Sequence, residues 1–245
     1  MTYRPYHIFG EDRPSRWLVT CDHATNRVPP DLGGCLGIAP EDMARHIAYD
    51  VGAAGMSHRL AELLDAPFIM SDFSRLVIDP NRGEDDPTLL MRLYDGTIIP
   101  GNRHVCEAEI ERRLNAYYRP YHTALATLAA RRPDTMILAI HSFTRQLKGR
   151  DLRPWHVGVL FAEDTRLSDL VVARFKAESD LVVGENEPYG GHLEGDSIDR
   201  HAIKPGRPNV LIEVRNDLIE SEHDQIAWAE RLAPILETAA QDAGL

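Results

Sequence analysis

MILAI, residues 136–140, runs straight into His141-Ser142, and this stretch decides how the rest of the chain is read. Five apolar residues without polar alternation suit a strand buried on both faces, at the centre of a sheet that helices cover. WLVTC (17–21), HVGVLF (156–161) and NVLIEV (209–214) read the same way, with PFIM (67–70), RLVID (75–79) and LVV (181–183) as shorter strands. Helical spacing lies between them. Residues 41–64 place Met43, Ile47, Val51, Leu60 and Leu64 on one face, weakened at Gly52 and Gly55. Residues 104–131 form the clearest helix, kinked at Pro120. Further helices are expected over 165–178 and 221–240, and long loops over 80–102 and 184–208. Strands alternating with helices predict an α/β sandwich around one sheet, and nothing in the pattern divides a single domain over 1–245.

Composition sets the outer bounds. The 245 residues carry 38 Asp+Glu against 27 Lys+Arg, a formal charge of −11, with no basic run. Nucleic acid and anionic membrane surfaces are therefore excluded as partners. No apolar stretch approaches the roughly 20 residues that span a bilayer, and the opening MTYRPYHIFGEDRPSRW lacks an apolar leader core. Three cysteines without C-x-x-C spacing point to neither a disulfide framework nor a zinc knot, and a cytoplasmic location fits. Of the 27 basic residues 24 are arginine. That excess reads first as coding bias and only second as a store of guanidinium forks for carboxylates.

Reacting groups in α/β sheets gather at strand ends. Four such places carry ionisable residues: 21–26 (CDHATN), 74–82 (SRLVIDPNR), His141-Ser142 and 213–216 (EVRN). His23 and His141 are candidate ligands for a catalytic zinc, which needs three protein ligands and an open position. Asn26, three residues beyond His23, is the third candidate, with Asp22 and Asp50 as acidic alternatives. Glu213 interrupts an apolar strand, and a buried carboxylate must be compensated. It reads either as a general base or as the partner of Arg215 or another arginine. Arg75, Asn81 and Arg82 suit a substrate carboxylate and a developing oxyanion, unless Arg82 simply pairs with Asp79.

These motifs resemble, in order, the N-formylglutamate amidohydrolase family: VTCDHATNRVP (19–29), YDVGA (49–53), SRLVIDPNR (74–82), YRPYH (118–122), HSFT (141–144), DRHA (199–202) and VLIEVRNDLI (210–219). The resemblance implies a three-layer αβα sandwich with a mixed central sheet, as in zinc carboxypeptidases and the succinylglutamate desuccinylase and aspartoacylase enzymes. It implies one zinc ion on His23 and His141, with Asn26 where those enzymes carry the glutamate of H-x-x-E. Glu213 is then the base, Arg75 polarises the scissile carbonyl, and Asn81 and Arg82 grip the carboxylate of a small N-acyl amino acid. His201 or Arg215 reaches a second acidic group. Two departures, Asn26 and Ala139 (where related enzymes place an aspartate that orients the second histidine), favour a rival reading as a non-catalytic carboxylate-binding module. A deacylase or carboxypeptidase-like activity on another acylated substrate is the enzymatic alternative.

Overall fold

The computed structural model describes residues 3–245. Residues 1 and 2, which begin both the expected domain and the stretch read as lacking a leader, lie outside the described residues. In chain order, β1 (Tyr6–Phe9) and β2 (Trp17–Cys21) precede α1 (Pro40–Met43), α2 (Ala53–Leu63) and β3 (Phe68–Ser71). A small hairpin, β4 (Leu93–Tyr94) and β5 (Thr97–Ile98), is followed by α3 (Glu107–Arg113), a π-helical turn (Leu114–Tyr118) and α4 (Arg119–Ala130). β6 (Met136–Phe143), β7 (Val157–Leu160), α5 (Ser168–Ala177) and β8 (Val183–Glu185) come next. A second π-helical turn (Asp199–Ile203), β9 (Asn209–Arg215) and α6 (Glu222–Asp242) complete the chain.

Seven strands make one mixed sheet in the order β1-β3-β2-β6-β9-β7-β8. The central four are parallel, while β1 and β7 run antiparallel to β3 and β9. Successive strand residues face opposite sides, and the two faces are both apolar. Val19, Leu138, Ile140, Val210 and Ile212 pack with Met56, Leu60, Phe175 and Leu236 of α2, α5 and α6. Leu18, Ile137, Ala139 and Leu211 pack with Tyr121, Leu125 and Leu128 of α4. This is the three-layer αβα sandwich. No helix among the described residues is long and apolar enough to cross a membrane.

The structure departs from these expectations at several places, and the strand expected at 181–183 begins only at Val183, as β8. RLVID at 75–79 is not a strand: the Ser74 hydroxyl accepts the Leu76 N–H at 3.2 Å and Val77 N–H closes on Ser74 O at 2.9 Å. These bonds curl the chain into a turn, and Leu76, Val77 and Ile78 bury their side chains without a ladder. The helix over 41–64 breaks into α1 and α2 because Gly52 takes φ +81°, a conformation only glycine adopts freely. The helix over 104–131 is divided at Pro120 as expected, with a π turn just before this residue, which lacks the N–H a continuous helix would require there. The loop over 80–102 holds the β4–β5 hairpin, and β1 adds an edge strand that the apolar pattern did not mark.

The break at Gly52 sets a test. A Cβ on Gly52 would collide with the Ile219 carbonyl, whereas one on Gly33 (φ +73°) meets nothing within 4 Å. Gly33→Ala is expected to cost about 1 kcal/mol, and Gly52→Ala distinctly more, read from urea unfolding midpoints. Equal losses would show that Gly52 is not under steric constraint.

Candidate active site

The ends of β2 and β6 lie side by side, and His23 follows one while His141 sits within the other. His141 is also directly opposite Glu213 in the parallel β6–β9 register. Both share the parity of Ala139 and Leu211, so they face the α4 side of the sheet. The break between α1 and α2 supplies the third member. Asp50 N–H donates to His23 O at 2.9 Å, which turns the Asp50 carboxylate toward the two rings. Asp50 Oδ2 lies 2.8 Å from His141 Nδ1 and 3.4 Å from His23 Nδ1. The three residues are 2–4% exposed, and a ligand atom from each lies within 4.8 Å of the others.

Each imidazole therefore turns Nδ1 inward and Nε2 outward. His23 Nε2 bonds Asp79 Oδ1 at 2.7 Å. Asp79 is gripped in turn by Arg75 Nε and Nη2 at 3.0 and 2.8 Å on Oδ2, and by Asn81 N–H at 2.9 Å on Oδ1. His141 Nε2 stands 3.6 Å from Asp22 Oδ2. Tyr121 donates its hydroxyl to Asp22 Oδ1 at 2.5 Å.

Electrostatics follow from this packing. Burial pushes the Asp50 carboxyl up, but the two imidazoles outweigh it and hold the group below the ordinary carboxylate range. Asp79 is likewise held well below that range against burial, chiefly by Arg75 and then His23. Burial opposes charge on His141, yet Asp22 and Asp50 raise it well above the usual imidazole value. Glu213 moves the other way. Burial dominates over the neighbouring His141, and its carboxyl is pushed up to about 7. Its Oε2 is buried with no hydrogen-bond partner among the described residues, as is Asp22 Oδ2.

Two imidazole nitrogens and a carboxylate oxygen, converging in a buried site beside unpartnered oxygens, fit a divalent transition-metal ion. A cavity of about 270 Å³ opens over them. Its walls include Arg75, Asn81, Arg82, Tyr94, Tyr189 and Asp196, with Glu213 at the floor beside the cluster. A more open groove of about 500 Å³ between β1 and α4, lined by Arg4 and Arg119, holds no comparable cluster among the described residues.

Not every candidate residue reaches this cavity. Asn26 does not join the histidines: its Nδ2 donates to Met43 O at 2.8 Å, tying down the end of α1, and Asp50 stands with the rings instead. Arg215 turns away to Asp217 at 2.7 Å and Trp155 O, so it does not pair with Glu213. Arg82 makes no hydrogen bond to Asp79; its Nε donates to Thr88 and its Nη1 to Asn81 O. His201 is buried away from the cavity against His122, with rings 5.1 Å apart and tilted by 20°.

The histidine pair nevertheless supports the cavity wall. His122 Nε2 donates to Pro80 O at 3.0 Å, so its Nδ1 must accept from His201 Nε2 at 2.8 Å. The Tyr118 hydroxyl donates to Arg82 O, and Ser197 N–H donates to Asn81 Oδ1. Both π turns thus hold the Pro80–Asn81–Arg82 segment in place. The sequence offers Asp50 as an acidic alternative to Asn26 and Asp79 only as a partner of Arg82; that both lie within family-like segments is the signal that could have placed Asp79 at the site. Nothing in local sequence marked Tyr94, Tyr189 or Asp196 as cavity walls.

A family model described as N-formylglutamate amidohydrolase matches residues 15–220. The crystal structure of gene product Atu2144 from Agrobacterium tumefaciens is 32% identical, with a TM-score of 0.93 over 99% of this chain and 97% of that one. N-formylglutamate amidohydrolase from Ralstonia eutropha JMP134 is 21% identical, with a TM-score of 0.70 over 96% and 98% of the two chains. A bacteriophage poly-gamma-glutamate hydrolase shares the fold at 11% identity and a TM-score of 0.50, over 96% of this chain and 89% of that one. Comparison with curated proteins finds no match.

Two outcomes are expected from this geometry. His23→Ala and Asp50→Ala should each lose stoichiometric Zn²⁺ binding by isothermal titration, while Asn26→Ala keeps it; the reverse pattern would put Asn26 back in the ligand set. The second outcome concerns pH. Burial depresses His122 to about 3 and His201 to about 4, from an ordinary 6.5. The unfolded chain therefore binds these protons first as pH falls. Their contribution to stability is complete above about pH 6.5 and is lost as pH drops through 4 and 3. Urea unfolding across that window should show a shallower loss in the His122→Gln/His201→Gln protein than in the wild type.

Proposed function

The chain belongs to the N-formylglutamate amidohydrolase family and is a metal-dependent amide hydrolase, and from that premise we propose that it cleaves a small N-acyl amino acid carboxylate. An acidic side chain, as in N-formylglutamate, is the substrate feature best matched by the arginines of the cavity. The observation that carries this reading is the buried His23–Asp50–His141 cluster beside Glu213, which lines the same cavity and has one carboxylate oxygen without a hydrogen-bond partner among the described residues.

His23 Nδ1, His141 Nδ1 and Asp50 Oδ2 would hold the ion, and zinc best fits two imidazoles and one carboxylate. Bound there, zinc supplies Lewis acidity at the cavity floor. The remaining work falls to the chain. Glu213, with its carboxyl near 7, takes a proton from the attacking water at Oε2. The water oxygen forms a bond to the acyl carbon, the C–N bond breaks, and Glu213 returns the proton to the leaving nitrogen. Products are the free carboxylate of the acyl group and the amino acid.

Arg75 has Nε and Nη2 committed to Asp79, with Nη1 3.7 Å from Asp50 Oδ1. That Nη1 is the donor for the developing oxyanion. Asn81, its Oδ1 taken by Ser197 N–H, offers Nδ2, and Arg82 offers Nη2 to the substrate carboxylate. A cavity of about 270 Å³ suits a single acylated amino acid rather than a long peptide. Free Cys21, Cys35 and Cys106 suit a reducing cytoplasm.

Glu213→Gln is the direct test. Turnover of N-formyl-L-glutamate is expected to fall by about 10²- to 10⁴-fold while Zn²⁺ binding persists. Undiminished turnover would remove Glu213 from the mechanism. Running N-acetyl- and N-succinyl-glutamate beside the formyl compound separates deformylation from the other acyl hydrolyses.

A further inference from the structure

We propose that Asp22, held by Tyr121, is the positioning residue for His141: its Oδ2 accepts the Nε2–H and so leaves Nδ1 free for the ion. The inference rests on the reading that His23, Asp50 and His141 bind a divalent metal.

An imidazole that gives Nδ1 to a metal keeps its proton on Nε2, and a buried N–H needs an acceptor. On the His23 side that acceptor is in place, with Asp79 at 2.7 Å and Arg75 behind it. On the His141 side, the carboxylate at Nε2 is that of Asp22, at 3.6 Å. Asp22 is 1% exposed. One of its oxygens is fixed by the Tyr121 hydroxyl, and the other, Oδ2, has no hydrogen-bond partner among the described residues. Leaving a buried carboxylate oxygen unpaired is costly, so its placement beside a ligand imidazole calls for a reason. The 3.6 Å gap belongs to an arrangement in which His141 Nδ1 hydrogen-bonds Asp50 Oδ2 at 2.8 Å. With Nδ1 given to an ion, His141 would carry its one ring proton on Nε2, where Asp22 Oδ2 is the carboxylate oxygen placed to accept it.

The architecture makes this possible where local sequence does not. Ala139 stands two residues before His141, so β6 carries no carboxylate of its own at that place. Thr20 pairs with Ala139 across the β2–β6 ladder, which puts the end of β2, and Asp22 just beyond it, beside His141. A residue adjacent to one histidine thus serves the other. Tyr121, from α4, sets the angle of the carboxylate.

The test measures Zn²⁺ affinity by competition with a chromophoric chelator, together with apo-protein thermal midpoints, for wild type, Asp22→Asn, Tyr121→Phe and His23→Ala. Asp22→Asn is expected to weaken Zn²⁺ binding by about 10- to 100-fold, and Tyr121→Phe by a smaller factor in the same direction. The apo midpoint of Asp22→Asn reports the stability cost separately from metal affinity: Asn keeps an oxygen for Tyr121 but removes one of the two carboxylates that raise His141, so a modest fall is expected. Zinc affinity within twofold of wild type in both Asp22→Asn and Tyr121→Phe, with His23→Ala abolishing binding, would overturn the inference and leave the metal site standing. Unchanged binding in His23→Ala would overturn the metal site and the inference together.

Discussion

Asp50 must stay ionised where almost no water reaches it, and the cavity is arranged around that requirement. Its Oδ2 is shared by His23 Nδ1, His141 Nδ1 and the Ser142 N–H. Burial alone would neutralise such a carboxyl. The two imidazoles reverse the effect, and each ring is braced by another carboxylate on its far side. The result is an alternation of acid and imidazole from Asp79 through His23, Asp50 and His141 to Asp22. Each negative group is compensated by its neighbours, and the chain of contacts leaves one concave face open.

Glu213 lies beside this series without joining it. It pairs in register with His141, but its Oε2 has no partner, and burial lifts its carboxyl toward neutrality. Carboxylates around the cavity thus sit in two electrostatic conditions. Asp50 and Asp79 are kept anionic by direct cationic or imidazole contacts, and Glu213, without such a contact, is pushed up by burial. Gly158, opposite Glu213 on β7, keeps this geometry open, since a side chain there would strike the Glu187 carbonyl. On the other wall, Tyr118 of the first π turn and His122 of α4 bond the backbone of residues 80–82, and His201 of the second π turn bonds His122. Neutral histidines suit that task because a charge so deeply buried would need a partner of its own.

Much of the fold was legible because the strongest sequence signals are apolar runs, and apolar runs are what a covered sheet buries. WLVTC, MILAI, HVGVLF and NVLIEV all became strands, and the helical spacing between them marked the layers. The misreading of RLVID shows the limit. Apolar residues at a turn bury their side chains as a strand would, and only the Ser74 bonds distinguish the two. The site was legible in part for a similar reason. Histidines and a glutamate at the ends of apolar runs are conspicuous, whereas Asn26 had the right spacing but spent its amide on Met43 O. Spacing along a turn specifies reach and leaves direction open.

The sequence by itself determined the strand-bearing core, the acidic balance and the family, because these depend on residue type and order. Which carboxylate meets which imidazole was decided only by tertiary structure. Asp50 reaches the cluster through a helix break at Gly52, and Asp22 reaches His141 through the β2–β6 register. Arg215, two residues from Glu213, turns instead to Asp217. Buried charges are paid for by whichever opposite group the packed chain brings within a few ångströms, and that proximity is set by register and crossing strands rather than by distance along the sequence.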